Sequence, residues 1–122
     1  MPKRRDFVPP AWIEQFRADG ALTEVRELIS TFMAENERRR GPLRAAAASG
    51  DLAALARIAH ATIGSAGSFG APRLHELAVA LEERALAGAT AEAASLAAEL
   101  ESATGRAAAA MRRYVDLIEC PP

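Results

Sequence analysis

Apolar side chains recur along this chain at intervals of three and four, in long stretches punctuated by glycine and proline. Leu22, Val25, Leu28, Ile29, Phe32 and Met33 make the first long stripe, the spacing of one face of an α-helix. Leu52, Leu55, Ala59, Thr62, Ile63 and Ala66 make the second, and Leu74, Leu77, Ala78, Leu81 and Ala85 the third. The last reads Leu96, Leu100, Ala103, Ala107, Ala110, Tyr114 and Leu117, a period of about 3.5 that suits shallow packing along a bundle. Val and Thr are sparse and no alternating β-branched run occurs, so strands are not expected.

The punctuation sets the boundaries. Pro9-Pro10 opens a short helix with Trp12, Ile13 and Phe16 on one face, and Gly20 ends it. Trp12 is expected to lid one end of the core. Within the first long helix Pro42 cannot donate to the Arg38 carbonyl, which predicts a kink or restart at Gly41-Pro42. Asp51 is a good N-cap for the next helix. The run Ser68 to Ala71 turns the chain, Pro72 stands where a first helical residue should, Gly88 closes that helix and Thr90 is the expected cap of the last. Short connections make sequential helices antiparallel. The prediction is an all-α protein: an antiparallel up-and-down four-helix bundle with a short extra N-terminal helix, residues 1–8 a flexible N-terminus and 9–120 a single domain.

Composition narrows the partners. The 122 residues suit one domain, and with half of them apolar but only 5% aromatic, alanine-rich helices must approach closely. A net charge of -1 gives no basic field to gather nucleic acid. Lys3-Arg4-Arg5 and Arg38-Arg39-Arg40 are short and far apart, and are expected to be solvated ends. Cys120 is the single cysteine, consistent with a reducing compartment. No apolar run approaches ~18 residues and no apolar core follows the N-terminal basic residues. No membrane association is expected, and the cytoplasm is the expected compartment.

The candidate chemistry sits in Ala59-His60-Ala61-Thr62-Ile63-Gly64-Ser65-Ala66-Gly67-Ser68-Phe69-Gly70-Ala71. At roughly 100° per residue, His60 lies about 120° from the centre of the apolar arc, and Gly64 and Gly67 fall within about 40° of it. Each glycine inside a helix costs ~1 kcal/mol relative to alanine, so a bare patch beside an outward histidine needs a reason. Clearance for another protein is one; close packing on a neighbouring helix is the other. An exposed imidazole offers an unprotonated ring nitrogen near neutral pH without a companion base. A His60/His75 metal pair is the rival use, with heights expected to differ by roughly 4 to 5 Å, but no further ligand spacing completes a set, and no metal site is expected. Glu82 and Glu83 lie near the height of His60, to orient its other nitrogen or to face solvent. Phe69 is expected to pack at the turn side of the core. No Walker-type nucleotide loop is present, so kinase activity of its own is not expected.

The run from Ala59 to Ala71, followed by Leu74, Leu77 and Leu81-Glu82, resembles the signature of histidine-containing phosphotransfer (HPt) domains of multistep two-component phosphorelays. His60, Gly64, Ser65, Gly70 and Ala71 match. The resemblance implies a four-helix bundle whose exposed histidine, His60, accepts a phosphoryl group from a receiver-domain aspartate and passes it to another receiver. It implies as partners the receiver domains of a hybrid histidine kinase and of a response regulator. It implies no cofactor of the chain's own, Mg2+ being expected on the receiver only. A stand-alone, monomeric, stoichiometric phosphocarrier is the expectation. Docking and clearance would fall to Gly64, Gly67, Ile63 and Ala61. Two positions depart from the pattern: Ile63 stands where the family has lysine, and Thr62 where it has an apolar residue. Arg57, one turn before His60, is the cation that could contact the phosphoryl group instead. The alternative is a helical adaptor, or a domain of this type that binds receivers without carrying phosphate; the glycines would then face another helix and His60 would be partly covered.

Overall fold

The computed structural model describes residues 5–119, and over that range the chain forms five helices and no strand: α1 (Ala11–Ala18), α2 (Leu22–Ser49), α3 (Leu52–Phe69), α4 (Pro72–Leu86) and α5 (Thr90–Glu119). Helices α2 to α5 make the antiparallel up-and-down bundle, each packed on its sequence neighbour and α5 closing against α2. The turns follow from the punctuation. Gly50 and Gly70 take left-handed conformations at the ends of α2 and α3, where a Cβ would be strained. Asp51 caps α3 by accepting a hydrogen bond from the Ala54 amide at 3.0 Å, and Pro72 begins α4.

The four helices are unequal. At 1.5 Å per residue α2 and α5 run about 42 and 45 Å, whereas α3 and α4 run only about 27 and 22 Å. The first turns of α2 and the last of α5 therefore extend past the α3–α4 turn, and α1 covers the overhang. Ile13 of α1 is fully buried, as are Val25 and Ile29 of α2 and Met111 of α5. Trp12 donates its indole N–H to the Ser68 carbonyl at 2.8 Å and meets the Phe69 ring edge-on. Phe69 stacks on Phe32 with ring centroids 4.7 Å apart. Trp12 thus lids the bundle end, as the apolar face of its short helix predicts.

Three expectations change. The helix does not restart at Gly41-Pro42: α2 is one element from Leu22 to Ser49. Phe32, Asn36, Leu43 and Ala46 hold a single buried face through the proline, while Pro42 and Arg38 are exposed, so water can serve the carbonyl that Pro42 leaves without a donor. Since no helix ends there, the arginine run is not a solvated end. Arg40 and Arg44 pair with Glu101 across to α5, and Arg39 bonds Ser65 on α3 at 3.1 Å. Within residues 1–8, residues 5–8 are not a loose tail; residues 1–4 lie outside those described, as do Cys120 and the two final prolines. Phe7 is buried edge-on against Tyr114, the Val8 amide donates to the Gly70 carbonyl at 2.7 Å, and the Arg73 amide donates to the Arg5 carbonyl at 2.8 Å. Asp6, also buried, pairs with Arg106 at 3.5 Å.

Candidate functional site

Helix α3 has two faces of different character. Leu55, Ala56, Ala59, Thr62 and Ala66 are buried, and Thr62 fits this apolar face because its hydroxyl donates to the Ile58 carbonyl at 2.8 Å. The outer face carries Ala53, Arg57, His60, Ala61, Gly64, Gly67 and Ser68, all exposed. Arg57 is the only Asp, Glu, Lys or Arg in the helix. His60 therefore stands on a surface of small, mostly uncharged residues.

The imidazole is fixed at one nitrogen and open elsewhere. Its side chain is 78% exposed, and Nδ1 lies 2.8 Å from Oε2 of Glu82 on α4, whose own side chain is 26% exposed. A carboxylate only accepts, so in the neutral ring Nδ1 carries the proton and donates it to Glu82. The lone pair is then on Nε2, the outer nitrogen. Glu82 is placed for this because α3 and α4 are the most extensively packed pair in the bundle, and their antiparallel register sets His60 opposite Glu82 and Gly67 opposite His75. The sequence left Glu82 between orienting His60 and facing solvent; the rotation of α4 decides for the first. Glu83, its neighbour, faces outward.

The two glycines differ. Around a Cβ built at Gly64 there is nothing within 4 Å, so the clearance beside His60 is open space. A Cβ at Gly67 would meet the His75 ring at 3.4 Å, an ordinary contact with the neighbouring helix. The packing role thus applies at Gly67 and not at Gly64, and with His60 exposed only part of the adaptor pattern is present. Ala61 is exposed, and Ile63 is half-buried against the core. Arg57 is exposed and makes no ion pair among the described residues. The register also revises the histidine heights. His75 sits seven residues along α3 from His60, about 10 Å rather than 4 to 5 Å. Among the described residues no group of three or more His, Cys, Asp or Glu is arranged to hold a metal ion.

Ser65, the serine of the Gly-Ser pair, points to α2. Arg39 donates to its hydroxyl at 3.1 Å and to Asn36 Oδ1 at 3.3 Å, while buried Asn36 donates to the Phe32 carbonyl at 2.9 Å. This network ties α3 to α2 on the side away from Glu82. It was not legible beforehand, because the arginine run reads locally as a charged, solvated stretch. No helix among the described residues is long and apolar enough to cross a membrane.

An exposed histidine on the outer face of α3, followed by Gly64-Ser65 and the Gly70-Ala71 turn into α4, is the arrangement that the resemblance implied. The family model of the Hpt domain matches residues 27–118, and the chain belongs to the Hpt domain family. Hpt domains are helical phosphocarriers that work with receiver domains in two-component phosphorelays. Comparison with curated proteins and with solved structures returns no match.

Proposed function

We propose that this chain is a stand-alone histidine phosphotransfer protein in which His60 takes a phosphoryl group from one receiver-domain aspartate and yields it to another. The observation that carries the assignment is the Glu82 contact at Nδ1 on an otherwise exposed ring. The Nε2 lone pair attacks phosphorus of the aspartyl phosphate, the N–P bond forms, the acyl P–O bond breaks and the aspartate leaves as a carboxylate. The ring becomes cationic as Nε2 is phosphorylated, and Glu82 at Nδ1 stabilises that charge. Return transfer reverses each step. Phosphoryl transfer has a loose transition state governed by positioning and charge stabilisation. A receiver that brings its own aspartate and Mg2+ leaves this chain to supply ring, orientation and clearance, without a cofactor of its own.

Gly64 and Ala61 keep the floor beside the ring low, with Gly67 and half-buried Ile63 continuing it toward α4. Arg57, one turn from His60 and free of ion pairs among the described residues, is the cation proposed to meet phosphoryl oxygens where Ile63 replaces the family lysine. The partners proposed are the receivers of a hybrid histidine kinase and of a response regulator, engaged by a monomer in the cytoplasm. Incubation with phosphorylated receiver domains tests the proposal. The expected product is an acid-labile, alkali-stable label that His60→Gln lacks and His75→Gln keeps. Label retained by His60→Gln overturns the assignment.

A further inference from the structure

The segment before α1 builds a surface feature beside the histidine face. Residues 5–8 cross the α3–α4 turn and are held at several points: the Arg5 side chain pairs with Glu76, its carbonyl accepts from the Arg73 amide, Phe7 is buried and the Val8 amide donates to the Gly70 carbonyl. Gly70 is required beneath it, since a Cβ there would collide with the Val8 carbonyl oxygen. Val8 is thereby fixed while it stays 46% exposed. It forms one wall of an open cleft of about 350 Å³, whose other walls include Gly67, Pro72 and His75. The cleft is largely apolar, and it lies outside the chemistry assigned to His60.

Position decides what can occupy it. Gly67 follows His60 by seven residues on the same outer face of α3, about 10 Å along the axis. A protein that presents an aspartyl phosphate to His60 Nε2 must bring its surface to within bonding distance of the ring. A standard interface covers about 800 Å² per partner, a disc of roughly 16 Å radius, so a receiver centred on His60 covers the cleft as well. The exposed α3 residues between the two, Ala61, Gly64 and Gly67, carry no charge, which suits an apolar contact. Resting on the phosphocarrier reading above, we infer that the cleft formed by Val8, Gly67, Pro72 and His75 receives an apolar side chain from the docked receiver domain. Val8 lies outside the matched span 27–118. Selectivity among receivers at this cleft is therefore supplied partly by a segment that is not part of the matched family region.

The test uses the full chain, Val8→Ala and Val8→Glu, with a receiver domain that labels the wild-type protein. Phosphoramidate, a small donor that needs no docking, gives the amount of competent His60 in each preparation, and circular dichroism gives its folding. Normalised to both, the receiver-driven kcat/KM should fall about fourfold in Val8→Ala, the worth of one buried methylene, and about tenfold or more in Val8→Glu, which places a charge in the apolar cleft. The loss should appear in KM rather than kcat. A Val8→Glu protein that takes phosphate from the receiver with wild-type kcat/KM overturns the cleft. Wild-type protein that takes label from no receiver overturns the phosphocarrier reading itself, and the cleft's occupant with it.

Discussion

Gly64 gives the sharpest separation of stability from function. It lies inside α3 with helical backbone and nothing within 4 Å of where a Cβ would stand. Nothing inside the chain requires glycine there. Alanine should therefore gain helix propensity with no steric penalty, about 1 kcal/mol, and raise the melting temperature by roughly 3 to 6 °C for a chain of this size. Gly105→Ala is the control. Gly105 lies within α5, is equally unobstructed, and belongs to a helix packed chiefly on α2 and α4. It should show a similar rise and leave transfer from a receiver unchanged. Gly70→Ala marks the opposite case, since its backbone is left-handed and the Val8 carbonyl blocks a Cβ, so that variant should melt lower than wild type.

Longer side chains at Gly64 test what the open space is for. Glutamate at this exposed position should keep helicity and melt no lower than wild type, since it too gains helix propensity over glycine, but its side chain would rise one turn from His60, where the receiver surface has to settle. Reacting atoms must come within about 3 to 3.5 Å, and misplacement by about 1 Å costs on the order of a hundredfold. Receiver-driven transfer in Gly64→Glu should fall by about that factor, read as label per unit time and normalised to labelling by phosphoramidate. A folded Gly64→Glu protein that transfers at the wild-type rate would refute the clearance argument. A Gly64→Ala protein that melts lower would refute the geometry on which it rests.

Replacing Glu82 by leucine should change His60 from a single Nδ1-protonated tautomer to a mixture, seen in ring 15N shifts, and slow transfer roughly tenfold, the worth of one charge-assisted hydrogen bond of about 1.5 kcal/mol; an unaltered tautomer ratio would remove its orienting role. Ile63→Lys should lengthen the lifetime of phosphate on His60 by up to about fivefold, the equivalent of ~1 kcal/mol from an exposed ion pair, and Arg57→Ala should shorten it; decay unchanged in both would show that no cation on α3 touches the phosphoryl group. Tyr114 is the only tyrosine, and burial first, then the nearby Glu14 carboxylate, push its phenol up to about 12. Its neutral form is thus favoured by folding, a contribution fully present below the ordinary value of about 10 and lost as pH rises from there toward 12. Absorbance at 295 nm should show the native midpoint near 12 and a urea-unfolded midpoint near 10, and equal midpoints would contradict the half-buried ring beside Glu14.

What the sequence made legible was whatever one helix decides by itself. The stripes, the Asp51 cap, the Pro72 start and the outward turn of His60 all follow from spacing at 3.6 residues and from local turn chemistry. What it hid depends on two elements meeting. Pro42 reads as a kink or restart because the local rule sees only the missing donor; Arg38 is exposed, and the helix with its buried face continues regardless. Phe7 and Val8 read as tail because their partners, Tyr114 and Gly70, are distant in the chain, although two apolar residues closing a basic segment were a signal. Glu82 could not be chosen over solvent without the rotation of α4 about its own axis.

Small side chains in the core allow α3 and α4 the close approach that the His60–Glu82 contact needs. Ala59 and Ala66 on α3 and Ala78 on α4 are fully buried, and helices separated by alanine approach toward the lower end of the 8 to 10 Å range. A carboxylate on α4 can then reach the ring of an outward histidine on α3, which the 2.8 Å contact records. Larger residues at those positions would have to part the helices, at a cost of about 1 to 3 kcal/mol, and would carry Glu82 away from hydrogen-bond reach and release the ring. The alanine richness that first reads as unremarkable helix composition is, at this pair of helices, what couples core packing to the identity of the free nitrogen. On this account the inner face of α3 fixes which nitrogen is available, and its bare outer face fixes what can approach it.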